Sequence, residues 1–181
     1  MFALTRNKAP WTPDSFQTGR AGIEKQLLPK FVERINNVLS GQGSALRFTV
    51  FGKRGEPDYE VKLAETVVSF FEAEFPQEGR WPAGGEFRYA TIRWPQRKWK
   101  RYRRDKGLYE KKPLFLISVR CDLGDAYYLD AKTWFSKAKK ENFRGSVFYG
   151  VDKTDPDLGR GLETLEIYVK NRLKAAYRIE L

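Results

Sequence analysis

The chain has no histidine, one cysteine and one methionine in 181 residues. Without histidine, Ser-His-Asp and Cys-His nucleophilic catalysis are excluded, as are His-containing zinc sites and His-dependent metal nucleases. The single thiol, Cys121, excludes an intrachain disulfide and any multi-cysteine zinc site. No apolar run approaches the ~18 residues of a membrane span. The opening MFALTRNKAPWTPD lacks the charged, apolar and small-residue succession of a signal peptide, so a cytoplasmic location is expected. Any catalysis must then rest on carboxylates, Lys, Ser or Tyr. Any metal would be a hard, oxygen-bound cation, with Mg²⁺ the cofactor expected of a nuclease.

Positive charge is abundant and unevenly placed. Residues 88–112, RYATIRWPQRKWKRYRRDKGLYEKK, hold eleven Lys or Arg against Asp105 and Glu110. That accounts for nine of the eleven net positive charges of the chain. Tyr89, Trp94, Trp99, Tyr102 and Tyr109 interleave with them. A composition of 41% hydrophobic and 15% aromatic residues will build a core, so this is not a basic tail.

Punctuation and periodicity predict an α+β (mixed α/β) single domain, with an antiparallel-rich or mixed central sheet flanked by helices. Residues 1–20 read as an arm and 21–181 as the domain, with a lobe boundary available at 76–85. Ile23, Leu27, Leu28, Phe31, Ile35, Val38 and Leu39 have helical spacing. Strands are expected at 46–52, 57–63 and 87–94. Val67, Phe71 and Phe75, at i, i+4 and i+8, predict a helix over 65–75. A hairpin is expected from 114–121 and 125–132, then a helix at 133–141, a strand at 146–151 and a final helix carrying Leu165, Val169 and Leu173.

Pro95 suits a helix start and Gly107 a helix end, so 95–106 can be helical. Arg97, Lys100, Arg101 and Arg104 then form one stripe, with Trp99 and Tyr102 opposite as the dock. Arg93, Lys98, Arg103, Lys106, Lys111 and Lys112 extend the basic track. Four phosphate contacts would give a salt slope near −3.6 on duplex DNA. If the segment is extended instead, Trp94, Trp99 and Tyr102 become stacking platforms for single-stranded bases. The plainer reading is a solvated face.

Two stretches place a carboxylate beside a lysine: Asp58-Tyr59-Glu60-Val61-Lys62 and Asp130-Ala131-Lys132. They resemble metal-dependent nucleases of the PD-(D/E)xK group. There, an acid and a (D/E)xK on neighbouring strands hold Mg²⁺, and the lysine helps position or activate water. The order helix, three strands, helix, strand over 65–151 is similar to that group's core and covers about half the chain. The resemblance implies Asp130 as metal ligand with Lys132, or Asp58, Glu60 and Lys62 as the site. For the hairpin, a three-residue loop at 122–124 with Gly124 left-handed pairs 121 with 125 and 116 with 130. That puts Asp130 and Lys132 on the polar face, opposite no second acid. Glu72 or Glu74 from the preceding element would have to substitute. The plainer readings are a polar strand face for Asp58, Glu60 and Lys62, and an exposed ion pair for Asp130 and Lys132.

Three functions follow as expectations. The first is a nucleic-acid-binding protein, for DNA or RNA, using 93–112. The second is a Mg²⁺-dependent nuclease with that segment as substrate track. The third is an assembly protein docking on an acidic partner.

Overall fold

A computed structural model describes residues 20–51, 57–76, 79–143 and 145–178. The expected arm at 1–20, apart from Arg20, and residues 52–56 lie outside these. The elements run α1 (Arg20–Gly41), β1 (Leu46–Val50), β2 (Tyr59–Leu63), β3 (Thr66–Glu74), β4 (Thr91–Pro95), α2 (Gln96–Arg104), α3 (Lys106–Lys111), β5 (Leu114–Val119), β6 (Ala126–Asp130), α4 (Ala131–Lys137), β7 (Lys139–Phe143), β8 (Ser146–Asp152), β9 (Gly159–Arg160) and α5 (Leu165–Tyr177). Six strands form one sheet in the order β1-β2-β3-β5-β6-β9, and β4-β8-β7 form a second. Only β3 and β5 pair in parallel among the described strands. The fold is the α+β architecture expected, with a mixed main sheet. No helix among the described residues is long and apolar enough to cross a membrane.

The large sheet is covered on both faces. One face packs Phe48, Tyr59, Val61, Phe71, Phe115 and Ile117 against Phe31, Ile35 and Leu39 of α1 and Leu165, Val169 and Leu173 of α5. The other packs Phe70, Leu114, Leu116 and Leu129 against Trp94, Tyr102, Tyr109 and Trp134. Strand β1 ends the sheet, and Asn36 blunts that edge. The Asn36 amide donates to the Phe48 carbonyl at 2.9 Å and accepts from the Phe48 N–H at 2.8 Å. This satisfies the outward backbone groups of Phe48 and shortens the edge open to other chains.

Three expectations need correction. Residues 66–74 are a strand, not a helix. The i, i+4, i+8 spacing of Val67, Phe71 and Phe75 also suits a strand with both faces buried, and β-branched and aromatic residues favour that outcome. Second, the β5–β6 hairpin is shifted by one residue. Phe115 lies opposite Asp130 and Val119 opposite Ala126, and the Arg120 N–H donates to the Asp125 carbonyl. The loop is Cys121–Gly124, and Leu123, at φ 59°, takes the left-handed position in place of Gly124. Asp122 holds this turn by accepting from the N–H groups of Gly124 and Gly84 and from Arg120. Third, the helix expected at 133–141 starts earlier, at Ala131, because Asp130 caps it by accepting from the Thr133 N–H at 2.9 Å. It ends at Lys137, and 139–143 become β7.

Over 65–151 the order is β3, β4, α2, α3, β5, β6, α4, β7 and β8, so the expected order of helix, three strands, helix and strand is not found there.

Candidate active site

Strand β2 sends Tyr59 and Val61 into the first core, so the pleat sends Asp58, just before it, to the opposite face. Strand β3 does the same: Phe71 and Ala73 enter the first core, and Glu72 and Glu74 face the other way. The antiparallel pair Tyr59↔Phe71 brings Asp58 beside Glu72. The Ala73 N–H donates to Asp58 Oδ2 at 2.8 Å. Glu72 is only 2% exposed and Glu74 only 3%. Two carboxylates at that depth require cations.

Helix α2 supplies them. Lys98, itself 3% exposed, places Nζ 3.2 Å from Glu72 Oε1, 3.2 Å from Glu74 Oε1 and 3.9 Å from Asp58 Oδ2. It also donates to the Ala73 carbonyl. Arg101 Nη1 lies 2.6 Å from Glu72 Oε2, and Arg97 Nη2 lies 3.0 Å from Glu74 Oε1. Three carboxylates therefore face three cations, and four oxygens converge on one ammonium.

The helix holds this pose because its opposite side is an aromatic dock. Trp99 stacks on Tyr149 at 3.9 Å and on Phe135 at 4.3 Å, and Tyr102 stacks on Tyr109 at 5.8 Å. The expected amphipathic division thus holds for the aromatic side. It does not hold for the stripe: Arg97 and Arg101 turn to the glutamates, and Lys98 is buried. Trp94 is wholly buried and edge-on to Trp134, so neither it nor Tyr102 is an exposed stacking platform.

Burial pushes the Asp58 carboxyl up to about 6; Lys98 opposes this, Glu72 and Glu74 add to it, and the Ala73 N–H opposes it. Burial works against the Lys98 ammonium, but Glu72, Glu74 and Asp58 outweigh it and hold the pKa above its ordinary value. Lys98 is therefore charged at neutral pH. Beside Glu74 a cavity of about 30 Å³ opens among Arg80, Thr91, Arg93 and Ser118, with room for a water.

The other expected residues are dispersed. Glu60 and Lys62 pair with each other at 3.7 Å along β2. Asp130 is fully buried on the α5 side of the sheet, away from the polar face expected of it. Its burial is offset by the cap on α4 and by Arg172, whose Nε lies 3.6 Å away. Arg172 also pairs with Asp157. The expected site at Asp130 and Lys132 is therefore not assembled: Lys132 sits on α4 with its ammonium over the Tyr177 ring. Arg93 pairs with Glu141 at 2.7 Å and lies over Tyr89. Lys100, Arg103, Lys111 and Lys112 are exposed. Arg104 and Lys106 are exposed too, each beside an acid, Asp105 at 2.6 Å and Glu110 at 3.8 Å.

Sequence reasoning named Asp58 and Lys98 for other partners and left Glu72 and Glu74 as unplaced substitutes. The usable signal was two glutamates alternating inside an otherwise apolar run, FFEAEF. An acid in a doubly buried strand must be paired with something.

The Gly159-Arg160-Gly161 loop is a packing device. A Cβ on Gly159 would stand 1.9 Å from the Tyr128 ring, and Arg160 pairs with Glu86 and Asp125.

No family model, no curated protein and no solved structure matches this chain.

Proposed function

We propose that the chain is a Mg²⁺-dependent nuclease whose reacting centre is Asp58, Glu72, Glu74 and Lys98. The observation that carries this reading is the convergence of Asp58, Glu72, Glu74 and the Ala73 carbonyl on one cation, at the foot of the basic helix. It parallels the acid and (D/E)xK of neighbouring strands described above. The acid is Asp58 by β2, the neighbouring strand carries Glu72-Ala-Glu74, and the lysine comes from α2. The departure is Glu74 in the lysine's usual place.

The donor chemistry fits the cation. Carboxylate and carbonyl oxygens are what Mg²⁺ selects. Among the described residues no group of three or more acids stands so that it could hold a metal ion; Lys98 occupies the point that the three carboxylates share. Holding a divalent ion requires that ammonium to move off it. When bound, Mg²⁺ supplies a Lewis acid for the phosphodiester and a more acidic water.

The residues of the chain divide the remaining work. Asp58, Glu72 and Glu74 would hold the cation. Lys98, released from them, would donate to a phosphate oxygen or to the attacking water. Arg97, whose side chain is 57% exposed, and Lys100 hold neighbouring phosphates and supply the counter-charge. The small cavity at Glu74 gives a water a place.

The competing reading is a binder without chemistry. The balance of three carboxylates against three cations favours it, since a neutral cluster can serve the fold alone.

Cleavage separates the two. Labelled duplex DNA, single-stranded DNA and RNA are incubated with Mg²⁺ or EDTA. The nuclease reading expects Mg²⁺-dependent cutting that Asp58→Asn abolishes while binding persists. Binding without cutting of any substrate leaves the binder, and cutting that survives Asp58→Asn removes this site.

A further inference from the structure

Beyond the acid cluster, helix α2 runs into a second feature. A groove of about 430 Å³ lies where α2 and α3 meet α4 and the end of α5. Phe135 and Tyr177 form aromatic walls beside the buried Tyr102, and Lys106, Arg178 and Lys132, whose ammonium lies over the Tyr177 ring, stand around them. Glu110 is the one acid of the lining among the described residues and sits 3.8 Å from Lys106. One side of Phe135 is fixed by stacking on Trp99, so this wall is rigid. Burial, and then Asp130 and Tyr102, push the Tyr177 phenol well above its ordinary pKa, so it stays neutral.

We infer that this groove is a subsite for one unpaired nucleotide of a single-stranded nucleic acid. The inference rests on the nucleic-acid reading above and names the strandedness of its substrate. Three observations carry it. The volume is that of a small-molecule site and too small for a duplex. Among the described residues the lining pairs aromatic surface with three cations and one acid, the chemistry that takes a base and its phosphates. In a duplex the base faces are stacked away, so only an unpaired base meets the walls. The position also fits. Tyr102 lies four residues after Lys98 on one helix, about 6 Å along its axis. The acid cluster and the groove are therefore about one helical turn apart along α2. Stacking is thereby moved from Trp94 and Trp99, which the fold uses as core, to Phe135 and Tyr177.

The test uses Lys132→Glu combined with Arg178→Gly. Both side chains are exposed. Arg178 sits in the left-handed region at φ 56° as the C-terminal cap of α5, where glycine is favoured. Its replacement keeps the helix end intact, and unfolding midpoints of variant and parent check that. Anisotropy is measured in EDTA with a labelled oligothymidylate and, separately, a blunt duplex. The expected result is about tenfold weaker oligothymidylate binding, a salt slope smaller in magnitude by about 1.4 for two lost contacts, and duplex affinity within twofold. Phe135→Leu, which keeps apolar volume, is expected to weaken the same probe about fivefold through lost stacking. Unchanged oligothymidylate affinity in both variants, or an equal loss for duplex, overturns the subsite. Asp58-dependent cleavage with unaffected groove variants fells the subsite alone. Groove-dependent oligothymidylate binding without any cleavage keeps the subsite and fells the nuclease.

Discussion

Replacing Lys98 with methionine tests the cluster through stability. Methionine keeps the length and most of the volume of the side chain, so packing is nearly conserved and the charge is not. The ammonium now sits 3.2 Å from two glutamates that are almost fully buried. Removing one partner of such a group costs about 3–5 kcal/mol. Arg101 at 2.6 Å and Arg97 at 3.0 Å remain, so the lower end, about 3 kcal/mol, is expected. With a urea m-value of about 2 kcal/mol/M, the midpoint falls by roughly 1.5 M. The five tryptophans make fluorescence a suitable monitor, with far-UV circular dichroism as the second probe. Two signatures distinguish lost charge from lost packing. The deficit shrinks on acidification, because protonating the carboxylates removes the charge that lost its ammonium. It also shrinks with Mg²⁺: at 10 mM, a site of about 1 mM affinity regains about 1.4 kcal/mol. A midpoint within 0.3 M of the parent, about 0.6 kcal/mol on that m-value, indifferent to pH and Mg²⁺, refutes the reasoning.

Two further perturbations follow. Asp58→Asn is expected to stabilise the protein at neutral pH while abolishing cleavage. The folded carboxyl titrates at about 6 against an ordinary 3.8, so the stability that protonation supplies is present below ~4 and lost as pH rises through ~6. The asparagine oxygen still accepts from the Ala73 N–H, so the gain at pH 7.5 approaches 1–3 kcal/mol and vanishes below pH ~4 in thermal melts. On duplex DNA, replacing both Lys100 and Arg103 with alanine is expected to reduce the log–log salt slope by about 1.8 in magnitude. In EDTA Lys98 stays on Glu72 and Glu74 and contributes nothing to that slope.

The architecture was legible where elements were long and amphipathic. Helix α1, strands β1 and β2 and helix α5 follow from periodicity alone, and Trp99 and Tyr102 announce which side of α2 docks. The site was not legible because its acids lie in a strand buried on both faces. There the period-two alternation disappears, and Val67, Phe71 and Phe75 imitate a helix. Reading β3 as a helix left Glu72 and Glu74 without a position and sent the metal site to Asp130. The hairpin register misled in the same direction. It turned on whether Leu123 or Gly124 takes the left-handed position, and the side chain of Asp122, tied to Gly84 and Arg120, decides that from outside the hairpin. The stripe on α2 was sorted by helical angle, which carries no information about the carboxylates underneath. Arg97 and Arg101 are turned inward by a tertiary contact.

The central claim is that three carboxylates converge on a position made for a cation. Calorimetric titration of Mg²⁺ into the parent and into Glu72→Gln, each bound to an uncleavable phosphorothioate oligonucleotide, tests it most directly. The account predicts stoichiometric binding in the parent and loss of the heat in Glu72→Gln with the oligonucleotide still bound. Equal heats in the two proteins, or none in either, contradict it.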